Sequence, residues 1–169
     1  VIVTEELSAG SLGAAGSLIT RPEIIARALL EGGTEQQKNK WLGKIASGET
    51  LCAVSVTEAN AGSDVASVSL SASKTEGGYI LNGSKLWCTF AGAANVILVL
   101  ARTDKTEKSH KGLSLFMVEK PSSESDEFEF SQDSGGRMTG KAIKTLGYRG
   151  MHSFEMSYTD FFVPEENLI

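Results

Sequence analysis

The sequence is short of the residues that build disulfide and metal frameworks. It contains two cysteines, two histidines and three prolines among 169 residues. Cys52 and Cys88 are too far apart for a Cys-x-x-Cys motif and too few for a disulfide scaffold. Their scarcity excludes the disulfide-rich secreted class and favours a reducing compartment. No apolar run reaches the roughly 18 residues that a membrane span needs, so we expect no membrane-spanning segment.

Positive charge is also scarce. Lysine and arginine number 16 against 21 aspartates and glutamates, which gives a net charge of -5. The densest basic run, Lys105, Lys108 and Lys111, alternates with acidic residues and is predicted to be a solvated loop. Because nucleic-acid binding needs basic residues clustered on one face, we expect no nucleic-acid partner. With 41% apolar and 22% charged residues, the composition is that of a globular protein.

Helical signals fill the first part of the chain. Residues 20–31 are predicted to form a helix with Pro22 in its first turn. A second helix follows, with a capping box that begins at Thr34 and a glycine stop at Gly48. The first 19 residues are predicted to be a helix broken by glycines. The sequence therefore predicts a helical head over residues 1–48.

After the helical head, the apolar period changes to two, which predicts strands. Glycine-containing turns are predicted at residues 75–78 and 82–84, and residues 119–140 are predicted to be a long excursion from the sheet. The predicted strands are 51–56, 67–73, 79–81, 85–88, 96–102, 113–118, 128–130 and 153–158. The fold class is therefore α+β, with the helical head followed by an antiparallel β-sandwich or barrel-like domain over residues 49–169. Neither a βαβ alternation nor a P-loop is present, which argues against a Rossmann-type nucleotide site.

Small polar residues and a glycine follow the first predicted strand. Thr57 and Glu58 stand at its end, and Gly62, Ser63 and Asp64 follow in a loop. Hydroxyls, backbone amides and a position without Cβ suit a ligand that approaches the backbone closely. An ordinary turn in which Asp64 caps backbone amides is the alternative. Glu58 itself is interpreted as a structural carboxylate.

Trp87-Cys88-Thr89 is a second stretch that could bind a ligand. An indole at a strand end can form a wall against a planar ring while a neighbouring hydroxyl reaches the edge of that ring. A tryptophan in an apolar strand is also an ordinary core residue. Neither stretch decides the function by itself.

The order and spacing of several blocks carry more information than any one block. They are "GTEQQKNKWLGKIASGE" (33–49), "VTEANAGSD" (56–64), "LNGSKLWCT" (81–89), "VLARTD" (99–104), "GLSLFMVEK" (112–120), "LGYRGMHS" (146–153) and "VPEENLI" (163–169). The series resembles the acyl-CoA dehydrogenase flavoprotein family, from the end of its N-terminal helical domain through its middle β-domain. Within the family, the phrasing is most similar to the branch that includes methylsuccinyl-CoA dehydrogenases.

The resemblance implies an FAD site. In this family the strand end that carries Val56 and Thr57 lies along the isoalloxazine ring, Trp87 packs against the flavin, and Thr89 lies near its reactive N5 edge. Ser63 matches a serine near both FAD and the acyl-CoA substrate. The expected cofactor-binding residues are Val54, Val56, Thr57, Ser63, Trp87, Cys88 and Thr89, with Cys88 contributing mainly through its backbone.

The resemblance also implies a reaction, the α,β-dehydrogenation of an acyl-CoA thioester, with electrons passed on to an acceptor flavoprotein or its equivalent. The catalytic base of the family lies in a C-terminal helical domain, so we expect it beyond Ile169 and expect no catalytic residue within this segment. A homo-oligomer, dimer or tetramer, in the bacterial cytoplasm or the mitochondrial matrix is implied for the full-length protein. An acyl-CoA oxidase or flavin monooxygenase on the same scaffold, and a non-catalytic member, stay open as alternatives.

Overall fold

The computed structural model describes residues 1–147 and 151–169, apart from the side chains of residues 12, 14 and 17–20. Part of the block at 146–153 that carries the resemblance, residues 148–150, lies outside the described residues. Within the described ranges the helices are α1 (Ile2–Gly10), α2 (Leu12–Gly32) and α3 (Glu35–Ser47). The strands are β1 (Cys52–Ser55), β2 (Ser71–Thr75), β3 (Gly78–Thr89), β4 (Val96–Arg102), β5 (Leu113–Glu119), β6 (Glu127–Ser131), β7 (Arg137–Ala142) and β8 (Ser153–Pro164).

The helical head is confirmed, but one boundary was wrong. Helix α2 begins at Leu12, so Pro22 lies inside it and not in its first turn. Proline removes one backbone hydrogen bond from a helix interior. The helix continues through this position because it packs on both sides of it, with Ala15 before Pro22 and Ile25 and Leu29 after it buried.

The start and end of α3 follow the predicted capping signals. The Gln37 amide donates to Thr34 Oγ1 at 3.2 Å, and the Thr34 amide donates to Gln37 Oε1 at 2.8 Å. Gly48 ends the helix in the left-handed conformation, with φ of 76°. The Gln37 side chain also donates to the carbonyls of Glu166 and Leu168, at 2.8 and 2.7 Å. The capping box therefore also attaches α3 to the segment after β8.

The strands form one curved, mixed sheet in the order β1-β4-β2-β3-β8-β7-β6, with β5 paired to β4. The α+β class is confirmed, and most pairs are antiparallel as expected. Two pairs differ: β1 pairs with β4 in parallel, from Cys52 beside Val96 to Ser55 beside Val99, and β2 meets β4 in parallel where Ser71 lies beside Arg102. A parallel pair needs a long crossover, and here the β2–β3 hairpin supplies it.

Three local predictions in the β-domain were wrong. The strand predicted over residues 67–73 begins only at Ser71, because Val65–Ser67 form a short 3₁₀ helix. Residues 82–84 are not a turn but lie inside β3, where Gly83, with φ of 137°, occupies a register shift against β8. Residues 119–140 are not an excursion from the sheet, since β6 and β7 form a hairpin and β7 pairs with β8. Strand β7 was missed because Gly140 interrupts its apolar pattern. A Cβ at Gly140 would lie 2.3 Å from the Phe128 ring, so this glycine makes room for a side chain of β6.

The core lies on both faces of β1. Ala53 belongs to the larger cluster inside the curved sheet, together with Leu81, Cys88, Phe116 and Met156. Cys52 faces the other way, into a smaller cluster formed with the helices, where its neighbours include Ile25, Leu29, Trp41 and Met117. Packing on both faces fixes the direction in which the chain leaves β1.

Lys120, at the end of β5, is a buried cation held by carbonyl groups. Its Nζ donates to the Gly92 carbonyl at 2.7 Å and to the Pro121 carbonyl at 2.8 Å, and lies 4.5 Å from the centre of the Phe128 ring. Burial lowers the pKa of Lys120 from 10.5 to about 8. The hydrogen bonds of the lysine connect the loop after Thr89 to the end of β5. Because burial disfavours its charged form, the protonated lysine lowers the stability of the folded state.

This burial predicts a pH-dependent stability. Between about pH 8 and pH 10.4 the unfolded chain keeps the Lys120 proton and the folded chain releases it, so the free energy of unfolding rises with pH. We expect the wild type to gain about 2 kcal/mol relative to Lys120→Met across this window. Urea unfolding of both proteins at several pH values measures the difference. The buried thiols Cys52 and Cys88, with pKa values raised by burial to about 11 and about 12, titrate in both proteins and largely cancel. A difference that does not vary with pH would contradict the assignment.

Candidate functional site

Two distant segments meet at the end of β1. The Leu86 amide, in β3, donates to the Thr57 carbonyl at 2.8 Å. One residue earlier, Lys85 Nζ donates to the Val56 carbonyl at 2.9 Å. These bonds place the strand end that carries Val56 and Thr57 directly beside the stretch that leads to Trp87.

Glu58 connects this junction to the chain that follows. Its Oε1 accepts from Lys85 Nζ at 2.9 Å and from the Leu70 amide at 2.8 Å. Its Oε2 accepts from the Ser69 amide at 2.8 Å and the Ser69 hydroxyl at 2.6 Å. Burial alone would raise the pKa of Glu58, but these donors outweigh burial and hold it below its usual value. The structural interpretation of Glu58 is therefore confirmed, because every one of these bonds favours a fixed carboxylate.

Trp87 is turned outward at an irregularity of β3. The pairing of β3 with β8 shifts between Lys85 and Cys88, and Trp87 has φ of 60°, in the left-handed region that costs a non-glycine residue roughly 1 kcal/mol. Lys85 and Cys88, which lie close to Trp87 in β3, are buried, whereas Trp87 is 51% exposed. The alternative that Trp87 is a core residue is wrong. The irregularity presents a large aromatic surface at the protein exterior.

Thr89 lies at the end of β3, where it pairs with Ser153 at the start of β8. The two hydroxyls are 2.8 Å apart. The next residue, Phe90, also has a positive φ, of 71°, and its ring lies 4.7 Å from the Arg21 guanidinium. Arg21 is buried and donates from Nε to the Cys52 carbonyl at 3.2 Å. Helix α2 is thus attached to the beginning of β1 and to the residue after Thr89.

A cavity of about 650 Å³ lies at this attachment, between α2, α3 and the start of β1. Its wall is mainly apolar, with Ala26, Leu42, Ile45 and Leu51 among the lining residues and Arg21 and Phe90 at one side. A concave apolar space with a few polar groups is the usual form of a small-molecule site.

The loop with Ser63 is exposed, and the residues that follow it are fixed by hydrogen bonds from Arg102. Asp64 does not cap backbone amides, so that alternative is wrong; its carboxylate accepts instead from the Ser67 hydroxyl. The loop is fixed by Arg102, whose guanidinium donates to the carbonyls of Val68 at 2.9 Å and of Ala66 and Glu107 at 2.5 Å each. Ser63 therefore sits on a surface loop with a rigid base.

The seven residues expected to bind a cofactor differ in their surroundings. Val56, Thr57 and Thr89 are half-buried at strand ends, and Ser63 and Trp87 are exposed. Val54 is half-buried on the helix side of β1, and Cys88 is fully buried, so its side chain faces the core. The structure brings Val56 and Thr57 next to the residue before Trp87. Lys85 was missed by sequence reasoning, although a lysine at an inward position of an apolar strand is a signal that a buried acid faces it.

Two other kinds of feature are absent from the described residues. Among residues 1–147 and 151–169, no group of three or more metal-ligating side chains is close enough to hold a metal ion. In the same ranges, no helix is both long and apolar enough to cross a membrane.

Comparison with known proteins gives a family to which these features can be related. The family model described as acyl-CoA dehydrogenase, N-terminal domain, matches residues 1–49, and the model described as acyl-CoA dehydrogenase, middle domain, matches residues 53–161.

Individual relatives cover the whole of this chain but extend well beyond it. The chain is 44% identical to (2S)-methylsuccinyl-CoA dehydrogenase of Cereibacter sphaeroides, over 100% of its own length and 30% of that protein. The resemblance to this branch is therefore confirmed. Its fold is similar to that of a glutaryl-coenzyme A dehydrogenase in complex with glutaryl-CoA, with a TM-score of 0.85 at 31% identity over 99% of this chain and 39% of the other. Butyryl-CoA dehydrogenase of Megasphaera elsdenii is also similar, with a TM-score of 0.82 at 31% identity over 98% and 40% of the two chains. The chain thus spans less than half the length of these proteins.

Proposed function

Because the chain belongs to the acyl-CoA dehydrogenase family, we propose that it forms the flavin-facing part of an FAD-dependent acyl-CoA dehydrogenase. Residues 1–48 are the end of the N-terminal helical domain in this proposal, and residues 49–169 are the middle β-domain. The observation that carries the proposal is the junction of Thr57 with Leu86, which places a strand end beside an outward-facing tryptophan.

The groups at this junction fit an isoalloxazine ring. Trp87 offers an exposed indole, and Thr57 is half-buried at the strand end beside this stretch. A flat ring with polar edges needs an aromatic wall and directional hydrogen bonds from rigid strand ends. FAD, when bound, supplies the acceptor for the hydride that leaves the β-carbon of the substrate.

In this proposal, the residues of this chain bind and orient the flavin and the substrate. Thr57 and the backbone of Val54, Val56 and Cys88 would hold the polar side of the ring, and Trp87 would pack against it. Thr89, whose hydroxyl is 2.8 Å from that of Ser153, would contribute its hydroxyl near the reactive edge of the ring. Ser63, on the loop that Arg102 supports, would contact the acyl-CoA. Alignment of the reacting atoms at close approach accounts for several kcal/mol of rate enhancement in such reactions.

The base that removes the α-proton is not Glu58. Its carboxylate accepts four hydrogen bonds and has a lowered pKa, the opposite of what a general base at neutral pH needs. The relatives are longer than this chain, and we place the base in the part of the protein that follows Ile169. The substrate proposed is a short branched or dicarboxylic acyl-CoA, with an electron-transferring flavoprotein or its equivalent as acceptor.

Two further properties are proposed for the full-length protein. It is expected to form a dimer or tetramer. It is expected to act in the bacterial cytoplasm or the mitochondrial matrix, in keeping with two buried free thiols, Cys52 and Cys88.

The test is a panel of acyl-CoA esters given to the full-length protein with an artificial electron acceptor, scored by enoyl-CoA product. We expect turnover with a short branched or dicarboxylic ester, and Thr89→Val should lower kcat about tenfold or more, because a preorganised hydroxyl is lost. Thr103→Val is the matched control, since its hydroxyl also pairs with a serine, Ser114, at 2.8 Å, but away from the site. Full-length protein without bound flavin and without enoyl product would contradict the proposal, and hydrogen peroxide formed in place of acceptor reduction would indicate an oxidase.

A further inference from the structure

We infer that the buried Glu58–Lys85 pair is a positioning element that sets the distance between Thr57 and Trp87, and through it the packing of Trp87 against the flavin. This inference rests on the proposed function. Lys85 and Glu58 do not touch the ring in this account, and they act through the two backbone segments that do.

The first support is that Lys85 and the adjacent Leu86 amide together hold three consecutive residues of the strand end in register. Lys85 Nζ binds the Val56 carbonyl and the Glu58 carboxylate, both at 2.9 Å, and the amide next to Lys85 binds the carbonyl of Thr57, which lies between them. A shift of either segment by one residue would break all three contacts. An apolar side chain at position 85 would fill space without this requirement, because apolar contacts have no preferred direction.

The second support is the irregularity that turns Trp87 outward. A strained residue persists only where its surroundings hold it in place. On one side of Trp87, Cys88 is buried in the core, and on the other the side chain of Lys85 is completely buried against Glu58. Lys85 is thus the fixed point on the side of Trp87 that faces the strand end.

The third support is the other carboxylate oxygen of Glu58. It accepts from the amide and hydroxyl of Ser69, at the far end of the loop that carries Ser63. The same pair therefore fixes both ends of the 58–70 segment relative to β3. A buried charge pair is a poor source of net stability but restricts the number of alternative arrangements, which suits a positioning role.

Lys85→Met in the full-length protein tests the inference, with Lys120→Met as matched control. Both changes remove a buried ammonium group of similar shape, but Lys120 binds the carbonyls of Gly92 and Pro121 and not the strand end. Two readouts are used. The first is hydrogen exchange of the Leu86 amide, which needs no flavin. The second is FAD affinity, measured by the quenching of Trp87 fluorescence. The background variant is Trp41→Phe, which leaves Trp87 as the only tryptophan among these 169 residues. Tryptophans in the rest of the full-length protein are also replaced by phenylalanine.

For Lys85→Met we expect exchange of the Leu86 amide at least about tenfold faster, FAD affinity about tenfold weaker and incomplete quenching at saturating FAD, since small displacements in a preorganised site have effects of this size. Lys120→Met should leave all three unchanged. Glu58→Gln keeps the shape of the side chain and one acceptor oxygen, but places an NH2 donor where the other oxygen accepts, so it should change the same quantities in the same direction. Wild-type values in a folded Lys85→Met protein, or equal changes in Lys120→Met, would overturn the inference. If the wild type itself binds no FAD, the proposed function fails, and the exchange of Leu86 still decides whether the pair positions the junction.

Discussion

Lys85→Met is expected to lower the free energy of unfolding by about 3–5 kcal/mol, the range observed when one partner is removed from a buried ion pair. Lys85 has no exposed side-chain surface and Glu58 only 9%. Without the lysine, the carboxylate of Glu58 keeps its bonds to Ser69 and Leu70 but loses its counter-charge where little of it is exposed to water. Chemical unfolding of the two proteins at neutral pH measures the difference.

The second-site change Glu58→Gln gives this prediction its sharpest form. In the Lys85→Met background, the neutral amide should restore about 1–2 kcal/mol, because an unpaired buried charge is more costly than an imperfectly paired neutral group. Lys74→Met provides a control at the surface, since its bond to Glu165 is also short, at 2.8 Å, but both side chains are more than half exposed. That variant should unfold almost as the wild type does. Equal losses for Lys74→Met and Lys85→Met would contradict the importance of burial.

The same pair predicts how stability responds to acid. The pKa of Glu58 is lowered in the folded state, so its contribution is complete above the unfolded value of about 4.3 and is lost as the pH falls through the folded value. The acid limb of the stability curve should therefore be less steep in Glu58→Gln than in the wild type. Thermal unfolding between pH 2 and pH 6 compares the two limbs.

The local elements of the fold were predictable where their signals lie within a few residues. The capping box at Thr34 and Gln37 and the glycine at 48 define α3 from neighbouring residues alone, and the β2–β3 hairpin follows from the glycines between its strands. Residues 82–84 were misread because Asn-Gly-Ser has the local chemistry of a turn. It becomes part of β3 only through pairing with β8, far away in the sequence.

The site was predictable in part for the same reason. The order of the sequence blocks pointed to Thr57, Trp87 and Thr89, whose positions at strand ends could be inferred from the strands themselves. The outward turn of Trp87 depends on a register shift against β8 and on a lysine whose acidic partner is separated from it by 27 positions. No local pattern contains that information. From the sequence, Lys85 was recognisable only as a charged residue at an inward-facing position of an apolar strand. Its acidic partner is identified only in the three-dimensional structure.

Arg102→Met is expected to lower the free energy of unfolding by about 3 kcal/mol, because three carbonyl groups lose a charged donor at once. Those carbonyls belong to Ala66 and Val68, below the loop with Ser63, and to Glu107 on the loop after β4. The apolar stem is kept in this variant, so the loss reflects the hydrogen bonds and not the packing. Unfolding in urea gives the total change, and hydrogen exchange of amides 65–70 shows whether it is concentrated in this loop.

Arg102→Lys separates the charge of Arg102 from its geometry. An ammonium group keeps the positive charge, but it cannot present the fixed fork with which the guanidinium reaches two loops simultaneously. We therefore expect Arg102→Lys to recover only about 1 kcal/mol of the loss, since one carbonyl of the three can be satisfied. Exchange of amides 65–70 should stay faster than in the wild type, because the base of the Ser63 loop remains loose. Full recovery by lysine would mean that charge alone supports the loop, and the rigid platform proposed for Ser63 would then lose its physical basis.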